Sequence, residues 1–294
     1  MVRRARGALG ALVAALLASL LLIPASPAHA KGQEENGAAR AVVFVHGLDP
    51  WGNNEADCGQ WDQAKKELRE NWGYKGEMVT WGYYKGSRNC DDFYPGTVDT
   101  DLRTIGKELA AYIEKNWGSK GLAVDIVAHS MGGIVAREAI IRSNSEEVDM
   151  SVEDVVTMGT PNQGSRSAGL CFSKQCEQIR PTDGGADRNW YLWTLNLLSR
   201  KNLRLHETPG GTDWSTIGSG DDDVVSLDSA TEGIYVQNKY RYYGNAGIEH
   251  SDYYTELDPP LPMQRSNDYG DSWDYWETIS PLQTMGHALT VDGV

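Results

Sequence analysis

Residues 122–141 constrain this chain more than any other stretch. Leu122-Ala123-Val124-Asp125-Ile126-Val127 reads as a buried strand, and Ile134-Val135-Ala136-Arg137-Glu138-Ala139-Ile140-Ile141 reads as a helix. Between them stand Ala128-His129-Ser130-Met131-Gly132-Gly133, which leave room only for a sharp corner. A helix that starts so soon after a strand passes close to that strand's backbone. Only small side chains fit two residues before and two residues after the apex, and here they are Ala128 and Gly132. The apex residue is Ser130, so the corner presents a hydroxyl. The bland alternative is a chance turn of small residues, but the flanking strand and helix lift the motif above a bare five-residue match.

Two further segments carry a resemblance. Ala41-Val42-Val43-Phe44-Val45-His46-Gly47-Leu48 is an apolar strand ending in His-Gly, and Thr157-Met158-Gly159-Thr160-Pro161-Asn162-Gln163-Gly164-Ser165 follows the corner. With the Ala-x-Ser-x-Gly elbow they resemble the α/β-hydrolase lipases and esterases, above all small secreted bacterial lipases whose pentapeptide begins with Ala. The resemblance spans roughly residues 40–255 and is patchy between 165 and 210. It implies an α/β-hydrolase fold, with a mostly parallel central sheet and helices on both faces. It also implies Ser130 as nucleophile, no cofactor, and an oxyanion hole made by the backbone N–H groups of Leu48 and Met131. Such preorganised donors are often worth roughly 3–4 kcal/mol each. Gly159-Thr160-Pro161 reads as a strand end and turn without a catalytic role.

A serine hydroxyl is a poor nucleophile near neutral pH. It needs a histidine to take its proton and a carboxylate to hold that histidine in the right tautomer. In this fold the chain order is Ser, then acid, then His. Gly218-Ser219-Gly220-Asp221-Asp222-Asp223-Val224-Val225-Ser226 follows a predicted strand at 213–217, where the acid loop belongs. Aligning the closing valine and serine with the lipase pattern Asp-Gly-x-Val selects Asp222. Asp223 replaces the glycine of that pattern, so Asp221 and Asp223 stay open as alternates. A calcium site in this acidic run lacks any ligand spacing such as an EF-hand loop. His250 follows the predicted strand 239–243 across Gly244-Asn245-Ala246-Gly247-Ile248-Glu249, where the base belongs, and His287 is its competitor. His206 precedes the acid loop, His46 belongs to the first strand, and His129 is expected to point elsewhere.

The first thirty residues read as a leader. Arg3, Arg4 and Arg6 precede an apolar run from Ala8 to Ile23, and Ala28-His29-Ala30 is an Ala-x-Ala cleavage signature. The run is short for a membrane span, so a secreted, extracellular protein without a stable membrane anchor is expected. The 264 residues from 31 to 294 suit a single catalytic domain with an insertion at about 163–207. They carry 24 basic and 41 acidic residues, a net charge of −17, which repels nucleic acid and anionic membranes. Cys58, Cys90, Cys171 and Cys176 make an even count, which reads as disulfides in an exported protein. Three pairings are possible, and nearness in sequence favours Cys58–Cys90 with Cys171–Cys176. No Cys-x-x-Cys spacing supports zinc.

Further elements are predicted by periodicity: helices over 59–71 and 102–118, and strands at 77–81, 152–158, 213–217 and 239–243. Strands alternating with helices give a parallel sheet. The insertion holds the run Trp190-Tyr191-Leu192-Trp193-Thr194-Leu195-Asn196-Leu197-Leu198, which reads equally as a lid or pocket wall and as a core helix. Trp273, Tyr275 and Trp276 in the polar tail are expected to pack a terminal helix on the sheet. Asp125, inside the elbow strand, is expected to cap or pair locally.

These readings point to a secreted carboxylic-ester hydrolase, a lipase or esterase acting on acylglycerols or similar ester or lipid substrates. An acyltransferase of the same fold would share the elbow. A non-catalytic hydrolase-like binding protein would normally lack one member of the triad.

Overall fold

Strand β1 (Ala41–Val45) carries five apolar residues, and all five are buried. Ala41, Val43 and Val45 pack on one face of the sheet, Val42 and Phe44 on the other. A strand with no polar face belongs inside a parallel sheet covered on both sides. The computed structural model describes residues 40–146, 148–181, 189–201, 211–232, 236–255, 261–276 and 279–291, which fall in the compact unit Gln33–Val294. The expected leader, His29, His206 and parts of the insertion lie outside the described residues.

The further strands are β2 (Glu55–Asp57), β3 (Met78–Gly82), β4 (Gly86–Arg88), β5 (Asp92–Phe93), β6 (Ala123–His129), β7 (Ser151–Met158), β8 (Asp213–Ser219), β9 (Asn238–Tyr242), β10 (Met263–Ser266) and β11 (Asp274–Tyr275). The helices are α1 (Asp62–Glu70), α2 (Leu102–Asn116), α3 (Met131–Glu146), α4 (Lys174–Gln178), α5 (Trp190–Lys201), α6 (Leu227–Glu232) and α7 (Pro281–Thr290). The main sheet has the order β11-β10-β9-β8-β7-β6-β1-β3-β5. Pairing is parallel from β9 to β5, and β10 and β11 add an antiparallel edge. Apolar residues of α2, α3 and α5 cover one face, and those of α1 and α7 cover the other. The architecture is the α/β-hydrolase fold, a mostly parallel central sheet with helices on both faces.

Asp125 does not pair locally. It is fully buried, accepts from Arg40 Nε at 2.8 Å and from the Tyr74 hydroxyl at 2.7 Å, and Arg40 also bonds Asp154. The β6–β7 register shifts at this point, and the Asp154 N–H donates to the Asp125 carboxylate at 3.3 Å. A carboxylate this deep needs a cation, and only a residue distant in sequence reaches it. The aromatic run of the insertion forms a helix with one side in the core: Tyr191, Leu192 and Leu195 of α5 join the core around α2 and α3, while Trp190 is exposed. In the tail, Tyr275 lies on edge strand β11, with Trp273 and Trp276 just beside it, and the terminal helix starts later. Trp276 packs on Tyr240 and His287, with ring centroids 5.6 and 4.7 Å apart. Helix α7 begins where a capping box of Ser280 and Gln283, with Pro281 in the first turn, satisfies its free N–H groups.

The four cysteines form two disulfides, Cys58–Cys90 and Cys171–Cys176. No helix among the described residues is long and apolar enough to cross a membrane.

Candidate active site

Strand β6 ends at His129 and helix α3 begins at Met131, so Ser130 alone makes the corner. Its φ is +54°, a left-handed conformation that a non-glycine residue adopts only where its surroundings enforce it, at a cost of about 1–3 kcal/mol. The enforcement is visible. The Ser130 N–H donates to Met158 O at 2.9 Å, and its carbonyl accepts from Gly133 N–H at 3.1 Å and from the Thr160 hydroxyl at 3.0 Å. Gly132 is required by close approach: a Cβ there would stand 2.4 Å from His46 O and 2.6 Å from Val45 O. The small residues of the motif thus let α3 pass against the end of β1.

The loop after β8 supplies Asp222 and the loop after β9 supplies His250. The Ser130 hydroxyl donates to His250 Nε2 at 2.8 Å, and His250 Nδ1–H donates to Asp222 Oδ2 at 2.8 Å. A carboxylate can only accept, so the ring proton sits on Nδ1 and Nε2 is free for the serine. Asp222 is buried and well satisfied: Oδ1 accepts from the N–H groups of Val224 and Val225 at 2.9 and 2.8 Å, and Oδ2 also accepts from the Tyr253 hydroxyl at 3.2 Å.

The three adjacent aspartates are sorted by environment. Asp221 accepts from Gly247 N–H at 2.7 Å and so fastens the loop that precedes His250. Asp223 is exposed at the edge of the cleft. His287 lies on α7, its ring 6.0 Å from that of Trp72 and 4.7 Å from that of Trp276, and makes no part of this cluster.

His129 does not point away, as the sequence suggested. Its ring is 4.7 Å from that of His250, and its Nε2–H donates to the His250 carbonyl at 2.7 Å. Burial, reinforced by the neighbouring His250, pushes the His129 imidazole well below the ordinary histidine range, so it stays neutral. Gly159, with φ of +57°, forms the floor beneath the pair: a Cβ there would lie 3.1 Å from Asp222 Oδ2 and 3.3 Å from His250 Cε1. Tyr253, Thr160 and His129 are the contacts that sequence reasoning missed. Only the nearness of Tyr253 to His250 in the chain could have hinted at one of them.

Of the residues expected to supply the oxyanion donors, Met131 follows Ser130 directly and Leu48 lines the same cleft as the serine. Met131 opens α3, where an N–H has no partner within the helix. Gly47, whose carbonyl shares a peptide unit with the Leu48 N–H, abuts the serine: a Cβ on it would lie 2.8 Å from Ser130 Cβ and 3.2 Å from Oγ. Neither N–H donates to another backbone group among the described residues. Ser130, His250 and Leu48 open on a cleft of about 500 Å³. Its walls mix polar side chains, including Asp49, Asn53, Glu55, Asp57 and Gln60, with a comparable share of apolar surface that includes Leu48, Trp51 and Tyr254. No described residue between 163 and 201 lines it.

Residues 96–171 match a family described as "Domain of unknown function (DUF7379)". No curated protein is similar in sequence to this chain. Among solved structures, the chain is similar to the phospholipase PlaB from Legionella pneumophila at 13% identity and a TM-score of 0.44, over 65% of this chain and 44% of that one. It is similar to the mature lipase BlEst2 of Bacillus licheniformis at 22% identity and a TM-score of 0.39, over 66% and 79% of the two chains. It is similar to lipase B of Aspergillus fumigatus at 15% identity and a TM-score of 0.47, over 77% and 51%. The match spans less than half the length of the phospholipase.

Proposed function

We propose that this protein is an exported serine carboxylic-ester hydrolase with one catalytic domain, residues 31–294, behind a cleaved leader. One observation carries the reading: an alcohol, an imidazole and a carboxylate are joined by two 2.8 Å hydrogen bonds at the bottom of a cleft. Ser130 Oγ attacks the ester carbonyl while His250 Nε2 takes its proton, and Asp222 stabilises the resulting imidazolium. The N–H groups of Leu48 and Met131 receive the oxyanion. His250 then returns the proton to the leaving alcohol, and water cleaves the acyl-enzyme by the same steps. The residues need no cofactor for this chemistry.

The carboxylates and amides in the cleft lining, Asp49, Asn53, Glu55, Asp57 and Gln60, suit small or polar esters better than long-chain acylglycerols, because a long acyl chain laid over them would have to desolvate them. Two disulfides support export, since cytosolic thiols are kept reduced. The test is labelling by a fluorophosphonate together with hydrolysis of p-nitrophenyl esters from acetate to palmitate. Wild type should label and favour the short esters. Ser130→Ala should do neither, and equal labelling of both proteins would refute the assignment.

A further inference from the structure

The peptide unit between Gly47 and Leu48 carries a tethered carbonyl on one side and the N–H wanted by the oxyanion on the other. Gly47 O accepts from the Tyr83 hydroxyl at 2.6 Å and from His46 Nδ1 at 2.8 Å. The direction of the second bond follows from His46 Nε2, which lies 3.2 Å from the Tyr83 N–H. A backbone N–H can only donate, so Nε2 is the acceptor and Nδ1 holds the ring proton. Both side chains are buried, and their rings stack at 4.0 Å. The Tyr83 hydroxyl also lies 2.9 Å from His46 O, so it touches two successive carbonyls at the end of β1.

A trans peptide is planar, and its C=O and N–H point in opposite directions. Holding the Gly47 carbonyl toward Tyr83 and His46 therefore turns the Leu48 N–H the other way. Gly47 itself abuts the Ser130 side chain, so the peptide unit that carries the N–H borders the serine. We propose that Tyr83, together with His46, is a positioning residue that grips the Gly47 carbonyl and so aims the Leu48 N–H at the developing oxyanion. Two hydrogen bonds accepted by the carbonyl also polarise the peptide and strengthen its N–H as a donor. This inference rests on the ester-hydrolase reading above.

The Leu48 N–H matters most once charge has developed on the carbonyl oxygen, so loosening it lowers kcat and leaves KM nearly alone. Tyr83→Phe removes one grip and keeps the ring. With p-nitrophenyl acetate as substrate, kcat should fall about tenfold with KM within twofold. The inhibition constant of a trifluoromethyl ketone, whose adduct carries the oxyanion, should rise by the same factor. The acid limb of the pH–rate profile should not move, because the contacts of His250 are untouched.

A second pair guards against a misfolded Tyr83→Phe. His46→Asn keeps an N–H donor near the Nδ1 position and should retain at least fivefold more activity than His46→Leu. A Tyr83→Phe kcat within twofold of wild type, or a loss expressed only in KM, overturns the proposal, as do equal activities of the two His46 variants. Ser130→Ala separates the levels. If wild type and Ser130→Ala hydrolyse the ester equally, the hydrolase reading itself fails. If Ser130→Ala alone is dead and Tyr83→Phe is unchanged, only the positioning role fails.

Discussion

Gly132→Ala sets two effects of known size against each other. Gly132 is the second residue of α3, and alanine in a helix is favoured over glycine by about 1 kcal/mol. Against this, the new Cβ would stand 2.4 Å from His46 O and 2.6 Å from Val45 O, both backbone atoms that no rotamer change can remove. Ordinary contact begins near 3.4 Å, so strand end or helix must give by about 1 Å. Overpacking of this kind costs about 1–3 kcal/mol, so the net change should be destabilising by about 1 kcal/mol and lower Tm by about 2–4 °C.

The effect on catalysis should be larger. The displaced carbonyls belong to the segment that leads into Leu48, and a 1 Å misplacement in an active site can cost about 10²-fold in rate. Calorimetry and kcat/KM on p-nitrophenyl acetate measure both effects. Gly169→Ala, whose Cβ would meet nothing within 4 Å, is the control and should leave kcat/KM unchanged without lowering Tm. A raised Tm with unchanged kcat/KM for Gly132→Ala is what helix propensity alone would give, and it would refute the close-packing argument.

Three other outcomes are expected. Asp222→Asn should lower kcat by roughly 10³–10⁴-fold by allowing the wrong His250 tautomer, whereas Asp223→Asn should stay near wild type; the reverse pattern would move the acid to Asp223. Burial holds the His46 imidazole down to about 4, against an ordinary value near 6.5. The stability gained by keeping it neutral is complete above pH 6.5 and is lost as pH falls toward 4, up to about 3 kcal/mol, so His46→Asn should flatten the decline of Tm across that window and an unchanged slope would contradict it. Reducing the Cys58–Cys90 bond, which spans 32 residues, should destabilise by about 3–4 kcal/mol and cutting Cys171–Cys176 by about 2, measured as the Tm of Cys→Ala pairs; equal losses would count against the loop-entropy account.

What the sequence disclosed was local or ordered along the chain. The Ser130 corner is specified by its immediate neighbours, and Asp222 and His250 follow because each stands just past a recognisable strand. Interactions that cross the fold stayed hidden. Tyr83 reaches Gly47 across 36 residues and Tyr253 reaches Asp222 across 31, and in sequence each is one more aromatic residue near a core segment. From the sequence His129 is expected to point elsewhere, because strand alternation gives a direction relative to the sheet and says nothing of a loop returning over it. Strands β10 and β11 have four and two residues, too few for an alternating pattern to stand out. The run at 190–198 could be either lid or core by composition, and only the position of α2 and α3 decides it.

Arg40 gives the molecule a hard N-terminal limit. It precedes β1 by one residue, yet it meets the carboxylates of Asp125 on β6 and Asp154 on β7. A chain trimmed to begin at Ala41 would keep every strand of the described residues and the whole reacting cluster, but it would leave two acids without their guanidinium. Limited digestion by a protease that cuts after arginine should therefore spare this bond while the protein is folded. Trimmed forms that start at Ala41 should unfold far more readily than those that still include the arginine.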